Sequence, residues 1–321
     1  MTDVLILGGT GWLSGRIARR MLLDGATVMC LARGGRPSPD GASLVLADRD
    51  DPEAYSAVAG RDWDHVIDVS SHAGHVAAAV AALGDRAGRW TYVSSVSVYS
   101  DDEATDADET AAVHPPAEPG DEYDYGAEKV AAENVVRTLG DRALIVRPGL
   151  IVGSGDPSDR FGYWAAAFLR AVDGPVLVPR AEGRSVQVID VDDLSEFIAT
   201  ASATGVINAV GDRHPLAEVL SSMQHSTGHG GETVVADDDW LVANGVQHWA
   251  GERSLPLWLP AEMTGFMTRS HARYRAAGGS LRPLDETIAT VVADERERGV
   301  DRERRAGLRR DDELELLQRL G

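Results

Sequence analysis

The chain has 321 residues, 43% hydrophobic and 26% charged, a mixture that supports a large core and excludes general disorder. Its 51 Asp and Glu against 31 Lys and Arg give a formal net charge of −20, which argues against nonspecific binding to nucleic acid or to an anionic membrane surface. A single cysteine, Cys30, rules out an intramolecular disulfide and agrees with a reducing cytoplasm.

In chain order, the opening MTDVLILGG has neither a basic flank nor a long apolar region, so no signal peptide is expected. No apolar run reaches the length of about 18 residues that a membrane helix needs, so the chain is expected to be cytoplasmic. Residues 4–7 form a short apolar run ending in glycines, and 15–23 repeat Ile17, Met21 and Leu22 at helical spacing. Buried strands are then expected at 28–31, 44–46, 65–69, 90–93 and 143–146, with Ala-rich helices at 76–83 and 127–139. Strand and helix in alternation imply a parallel sheet covered on both faces, an α/β doubly wound architecture of the Rossmann kind. In the second half, 161–172 read as a helix, 186–191 as a strand feeding a helix at 193–202, and 205–210 as a further strand. Glycines at 228–231 mark a mobile loop. Residues 295–321 are charge-dense, and 314–320 are expected to be an amphipathic helix with a solvated face. The expected division is a dinucleotide-binding domain at 1–150, to which 185–210 return, and a smaller C-terminal substrate-binding lobe from 151–184 and 211–321.

Between the first strand and the first helix stand Gly8, Gly9, Thr10, Gly11, Trp12, Leu13, Ser14 and Gly15. Glycines here permit a sharp turn and let backbone N–H groups reach a pyrophosphate at a helix N-terminus. A glycine-rich loop alone is a weak signal, but strand before and helix after supply the context it requires.

At this loop the sequence resembles the extended short-chain dehydrogenases, the NAD-dependent epimerase/dehydratase family, whose loop usually reads Gly-Gly-x-Gly-Phe-Ile-Gly. Ser14 takes the third glycine position, and serine is small enough to keep helix and strand close. The resemblance implies cofactor contacts from Gly8 through Ser14, from Asp48 toward the adenine amino group, and from Val69 and Ser70 at the end of the fourth strand. Where NAD-preferring relatives carry an acid for the adenosine ribose, this chain has Ala32 followed by Arg33. A guanidinium without a competing carboxylate attracts a 2′-phosphate, so NADP is expected, with NAD as the alternative and Arg36 assisting.

Tyr125 and Lys129 have Tyr-x-x-x-Lys spacing at the start of a helix, which puts both on one face. A tyrosine hydroxyl, with an ordinary pKa of about 10, needs a neighbouring ammonium to work as an acid or base near neutrality. Lysine can also hold the nicotinamide ribose. Ser94-Ser95-Val96-Ser97-Val98-Tyr99 ends the fifth strand where the family reads Ser-Ser-Ala-Thr-Val-Tyr, so the resemblance makes Ser95 the catalytic hydroxyl and Ser97 a second hydroxyl position. Arg147-Pro148-Gly149 and Val152-Gly153 also fit, and the resemblance covers roughly residues 3–210.

The family's 4,6-dehydratases carry Asp-Glu directly after the catalytic threonine. Val96 and Ser97 stand there instead, which argues against dehydration. The position of the epimerases' diphosphate arginine is Val186, with Arg184 a poor substitute two residues away. His225 and His229 have metal-ligand spacing but no carboxylate partner beyond Glu232, so no metal is expected. His72 and His75 read better as helix-surface residues than as site residues. Residues 255–260, with Trp249, fit either an apolar lid or plain packing, and the acidic stretch 101–124 reads as a solvated loop beside the site.

The leading expectation is an NAD(P)-dependent oxidoreductase moving a hydride to or from a small carbonyl or alcohol through Ser95, Tyr125 and Lys129. The alternatives are a nucleotide-sugar epimerase and a non-catalytic cofactor-binding regulatory or RNA-associated protein. The partner is then a small molecule, not nucleic acid or membrane, and a homodimer is left open.

Overall fold

A computed structural model describes residues 2–321. In chain order the elements are β1 (Asp3–Leu7), α1 (Trp12–Leu23), β2 (Thr27–Ala32), β3 (Ser43–Leu46), β4 (Trp63–Asp68), α2 (Ala73–Leu83), β5 (Ala87–Val93), α3 (Tyr125–Arg137), β6 (Ala143–Pro148) and β7 (Leu150–Val152). There follow α4 (Gly162–Ala171), β8 (Val176–Pro179), β9 (Ser185–Asp190), α5 (Val191–Thr200), β10 (Gly205–Ala209), β11 (Arg213–Pro215) and α6 (Leu216–Thr227). The last are β12 (Thr233–Ala236), α7 (Asp238–Ala243), β13 (Gln247–His248), β14 (Ser254–Leu255), α8 (Ala272–Ala276), α9 (Leu284–Arg298) and α10 (Arg310–Leu320).

The chain forms two compact units. The first holds residues up to Leu150, Val191–Gly211 and Arg269–Leu281. Its seven-stranded sheet runs β10-β6-β5-β4-β1-β2-β3, all parallel. Leu5 and Leu7 pack with Val76 and Leu83 of α2 and Val136 of α3. Val4 and Ile6, one residue out of phase, are also fully buried, so β1 is covered on both faces. The chain leaves β1 toward β2 on one side and later returns to β4 on the other. That reversal is the topological switch point at which α/β sheets bind ligands, beyond the carboxyl ends of the strands.

The second unit holds Ile151–Asp190, Asp212–Thr268 and Arg282–Gly321. It is built on small sheets, β11-β9-β7, β12-β8 and β13-β14, with α4, α6 and α9 packed on one another. Buried Tyr163, Trp164 and Phe168 make α4 its core helix.

Two boundaries differ from the sequence expectation. Residues 185–190 belong to the second unit, because β9 pairs with β11 rather than joining the parallel sheet. Residues 269–281 return to the first, where α8 packs on β10. Residues 255–260 are core and not lid: Trp258 is fully buried and stacked on His248 at 3.8 Å, and the Trp164 indole donates to the Pro256 carbonyl at 2.8 Å. The charge-dense tail is also more than a solvated surface. Glu295 is buried and ion-paired with Arg302 at 2.7 Å and Arg304 at 2.6 Å. Glu313 is fully buried, pairs with Arg310 at 2.8 Å and accepts the Leu177 N–H at 3.1 Å. Buried carboxylates survive only with such partners. No helix among the described residues is long and apolar enough to cross a membrane.

Candidate active site

The glycine loop is shaped by two requirements. Gly8 has φ +85°, and a Cβ there would sit 3.0 Å from Val69, so both conformation and space select glycine. At Gly9 a Cβ would lie 2.5 Å from the Cys30 sulfur, which brings the loop onto β2. Ser14 does more than fit. Its buried hydroxyl donates to the Gly8 carbonyl at 2.7 Å and accepts the Gly11 N–H at 3.0 Å. The serine, at the third helical position, thus supplies the return half of a capping box to the backbone of the N-cap Gly11, which has no side chain for the other half, and staples the loop to its own helix.

A cavity of about 910 Å³ opens at the carboxyl ends of β1 to β4, near the upper end of the 300–1,000 Å³ typical of ligand sites. Gly8, Thr10 and Gly11 line it on one side, and Asp48, Val69 and Ser70 on another. Arg33 and Arg36 are exposed on its wall. Arg49, also on the wall, grips the buried Asp68 carboxylate through two bonds of 2.8 and 2.7 Å and donates to the Tyr55 hydroxyl and the His75 carbonyl. His75 Nε2 bonds Asp50 at 2.7 Å, which, with the fields of Arg33 and His72, holds the Asp50 carboxyl below its usual range.

Beside this cavity lies a hydroxyl–phenol–amine cluster. Ser95 ends the extended segment after β5 and caps a short 3₁₀ turn, Val96–Val98. Its Oγ accepts the Ser97 N–H and donates to the Ser97 hydroxyl, both at 3.1 Å. Asp124 caps α3 by accepting the Ala127 N–H at 2.7 Å, which makes Tyr125 the first helical residue, partly exposed. One turn on, Lys129 is buried, and its Nζ lies 5.8 Å from the Tyr125 ring centroid. The amine donates to the Ser70 carbonyl at 2.8 Å and the Val93 carbonyl at 2.7 Å. Burial pushes the Lys129 amine down to about 7, opposed by the charges of Asp68 and Glu133. Below, Glu133 is buried between Ser94 at 2.6 Å and the bidentate Arg147 guanidinium at 2.6 and 2.8 Å.

Of the residues expected at the cofactor, Gly8, Thr10, Gly11, Arg33, Asp48, Val69 and Ser70 line the cavity. Gly9, Trp12, Leu13 and Ser14 form the loop and helix start behind it. Lys129 reaches the wall through the Ser70 carbonyl. His72 and His75, expected on a helix surface, are on the cavity wall instead, because α2 begins at its edge. His225 lies in the last turn of α6, whereas His229 lies past the left-handed cap at Gly228, so the two do not share a helical face. Arg184 is committed to Asp238 and to the carbonyls of Leu259 and Arg180.

Two features escaped the sequence reading. A Cβ at Gly126 would fall 2.5 Å from the Ser97 carbonyl oxygen, so glycine right after Tyr125 is what lets α3 sit on the serine turn. And Lys129 is the only lysine in the chain, every other residue of the Lys and Arg total being arginine. Arginine stays protonated at all ordinary pH, so a lone lysine marks a position where an amine is needed. Counting lysines would have found it.

The profile of the NAD dependent epimerase/dehydratase family matches residues 4–211. No curated protein sequence matches the chain. A Burkholderia cenocepacia protein described as an epimerase shares the fold with TM-score 0.70 and 24% identity, covering 92% of this chain and 98% of its own. The UDP-glucose 4-epimerase of Thermus thermophilus, solved with NAD, gives 0.66 and 20% over 92% and 99%. The Bordetella bronchiseptica enzyme WbmH, solved with NAD+, gives 0.68 and 15% over the same shares. With the profile spanning more than half of the chain, and a glycine loop and a cavity at the switch point of the sheet, this protein belongs to the NAD dependent epimerase/dehydratase family.

Proposed function

We propose that the protein is an NADP-dependent oxidoreductase that moves a hydride to or from a small carbonyl or alcohol. The observation that carries this reading is the start of α3, whose Gly126 sits on the serine turn and whose Lys129, 5.8 Å from the Tyr125 ring, bonds the carbonyl of Ser70 on the wall of a dinucleotide-sized cavity. The fit of the cofactor rests on the positive-φ glycine turn, the helix start and the cavity volume. When bound, the nicotinamide supplies the hydride donor or acceptor. Gly8 to Gly11 would hold the pyrophosphate, Asp48 would face the adenine, and Val69 and Ser70 would pack against the dinucleotide. Arg33 and Arg36 favour a 2′-phosphate, since Ala32 leaves no carboxylate at the end of β2 and the nearby Asp50 is bonded to His75.

The Ser95 hydroxyl polarises the substrate oxygen, and the Tyr125 hydroxyl gives or takes its proton. An ammonium at Lys129 has three donors. Two go to the Ser70 and Val93 carbonyls, and the third serves the nicotinamide ribose while the charge favours the Tyr125 phenolate.

Val96 and Ser97 supply no acid–base pair for elimination, which argues against dehydration. A small substrate is favoured over a nucleotide sugar because Val186 stands at the diphosphate-arginine position and Arg184 is occupied by Asp238, so it cannot serve a diphosphate without breaking that pair. The second unit is the proposed substrate-binding part. The test is NADPH oxidation across a panel of carbonyl compounds, run beside a UDP-sugar epimerisation assay. Turnover only in the second would replace this reading with epimerisation.

A further inference from the structure

We propose that Asp68 is a positioning residue for Lys129: its buried carboxylate fixes the Ser70 peptide that receives the lysine Nζ and places a negative charge in the pocket that holds that amine. The inference deepens the catalytic reading above and rests on it for its consequence in turnover, though not for its test. Asp68 ends β4 fully buried, and its Oδ1 accepts the Ser70 N–H at 2.9 Å. The carbonyl of that same residue accepts Lys129 Nζ at 2.8 Å and the Tyr92 hydroxyl at 3.1 Å. One residue is therefore held at its N–H by the carboxylate and at its C=O by the amine, and it also lines the cofactor cavity. Moving Asp68 moves the seat of Lys129.

The charge argument needs every group packed around the amine. From β4 comes Asp68, with Arg49 on its outer side. From β5 comes Tyr92, whose ring lies 4.9 Å from Nζ and whose phenol burial pushes far up, so it stays neutral. From β6 comes Arg147, paired with Glu133, which itself rises from α3 together with Tyr125. From α2 comes His75, whose Nδ1 is 3.5 Å from the Ser70 hydroxyl. The serine turn contributes only hydroxyls. Burial drives the lysine toward its neutral form, and Asp68 is the larger of the two opposing charges, ahead of Glu133. Glu133 divides its field between two arginines, Arg147 and Arg137. A lysine poised in this way can be charged or neutral near neutrality, which an arginine cannot.

The single lysine makes the test direct. Isotope-labelled lysine gives one side-chain signal in the whole protein, and its chemical shift against pH reads the charge of Lys129 without substrate. The wild type is expected to titrate at about 7. Asp68→Asn should lower that midpoint by about one pH unit, the smaller end of the shift an adjacent opposite charge produces. Arg49→Gln, which keeps the carboxylate and removes its partner, should not lower it. Asp68→Asn strands the Arg49 guanidinium, so Arg49→Gln/Asp68→Asn, neutral at both positions, carries the test if the single variant does not fold, and its midpoint should also fall. An unchanged midpoint in the folded Asp68 variants overturns the inference. A lowered midpoint in a protein whose Tyr125→Phe variant turns over normally would leave Asp68's hold on Lys129 standing and refute the catalytic reading alone.

Discussion

Replacing Gly126 with alanine sets helix propensity against a backbone collision, and the two effects have opposite signs. In an open helix the change would stabilise by about 1 kcal/mol, because alanine loses less entropy on folding. Here the new carbon would stand 2.5 Å from the Ser97 carbonyl oxygen, 3.2 Å from the His114 ring and 3.4 Å from the Asp124 carboxylate. An ordinary carbon–oxygen contact is about 3.3 Å, so α3 and the serine turn must separate by roughly 0.8 Å. The Ser97 oxygen is main chain and cannot rotate away, so the separation falls on Ser95 and Tyr125 together. Overpacking of this kind costs about 1–3 kcal/mol. A displacement near 1 Å between catalytic groups costs about 10²-fold in rate. The assay is kcat and NADPH Kd for Gly126→Ala on the best substrate of the carbonyl panel, with urea unfolding alongside. The expected result is a stability loss and a drop of about 10²-fold in kcat, with a smaller change in Kd because most of the cavity wall comes from elements other than α3. Full turnover in a protein stabilised by about 1 kcal/mol would show that the contact is empty and that propensity alone governs the site.

Arg33→Ala should weaken NADPH by roughly tenfold to a hundredfold while NADH barely changes, measured by titration calorimetry, and equal losses for both would mean that Arg33 only stacks on the adenine. Ser14→Ala removes the two hydrogen bonds that staple the loop and should cost about 1 kcal/mol in urea unfolding, whereas unchanged stability would show that the serine merely packs. His65 is buried against Thr91 at 2.8 Å, and burial, with the Arg89 charge, pushes its ring down to about 3. The folded state therefore refuses a proton that the unfolded chain binds below about 6.5, so stability falls as pH drops from about 6.5 toward 3, by about 1.4 kcal/mol per unit. His65→Gln should flatten this acid limb between pH 6.5 and 5, read by unfolding at each pH, and an equally steep limb in the variant would assign it to other groups.

The first unit was legible because its signals are local. Leu5, Leu7 and Val66 announce buried parallel strands, and the glycine loop and Tyr-x-x-x-Lys spacing sit within single turns of chain. The cavity wall was harder. His72 and His75 look like solvated helix residues until the start of α2 is placed at the mouth of the cavity, which depends on strand order rather than spacing. The second unit hid its logic in distant partners. Glu313 reads as a surface charge because Arg170 and the Leu177 N–H that bury it come from far earlier in the chain, and Glu295 because Arg302 and Arg304 fold back on it from the segment after α9. Residues 185–190 pattern like a strand of the main sheet, and only their pairing with β11 assigns them elsewhere. Gly126 carried no signal of its own, since the contact that demands it comes from Ser97, 29 residues earlier in the chain.

The claim that Tyr125 exchanges the substrate proton is tested most directly by Tyr125→Phe, which deletes one oxygen and keeps the ring over Lys129. Measured with NADPH and the active carbonyl, kcat should fall by about 10²–10⁴-fold. NADPH affinity should hold, because the proposed cofactor contacts come from the loop, Arg33 and Lys129 and not from the Tyr125 hydroxyl. Turnover at the wild-type rate would contradict the account and move the proton donor to another group near Ser95.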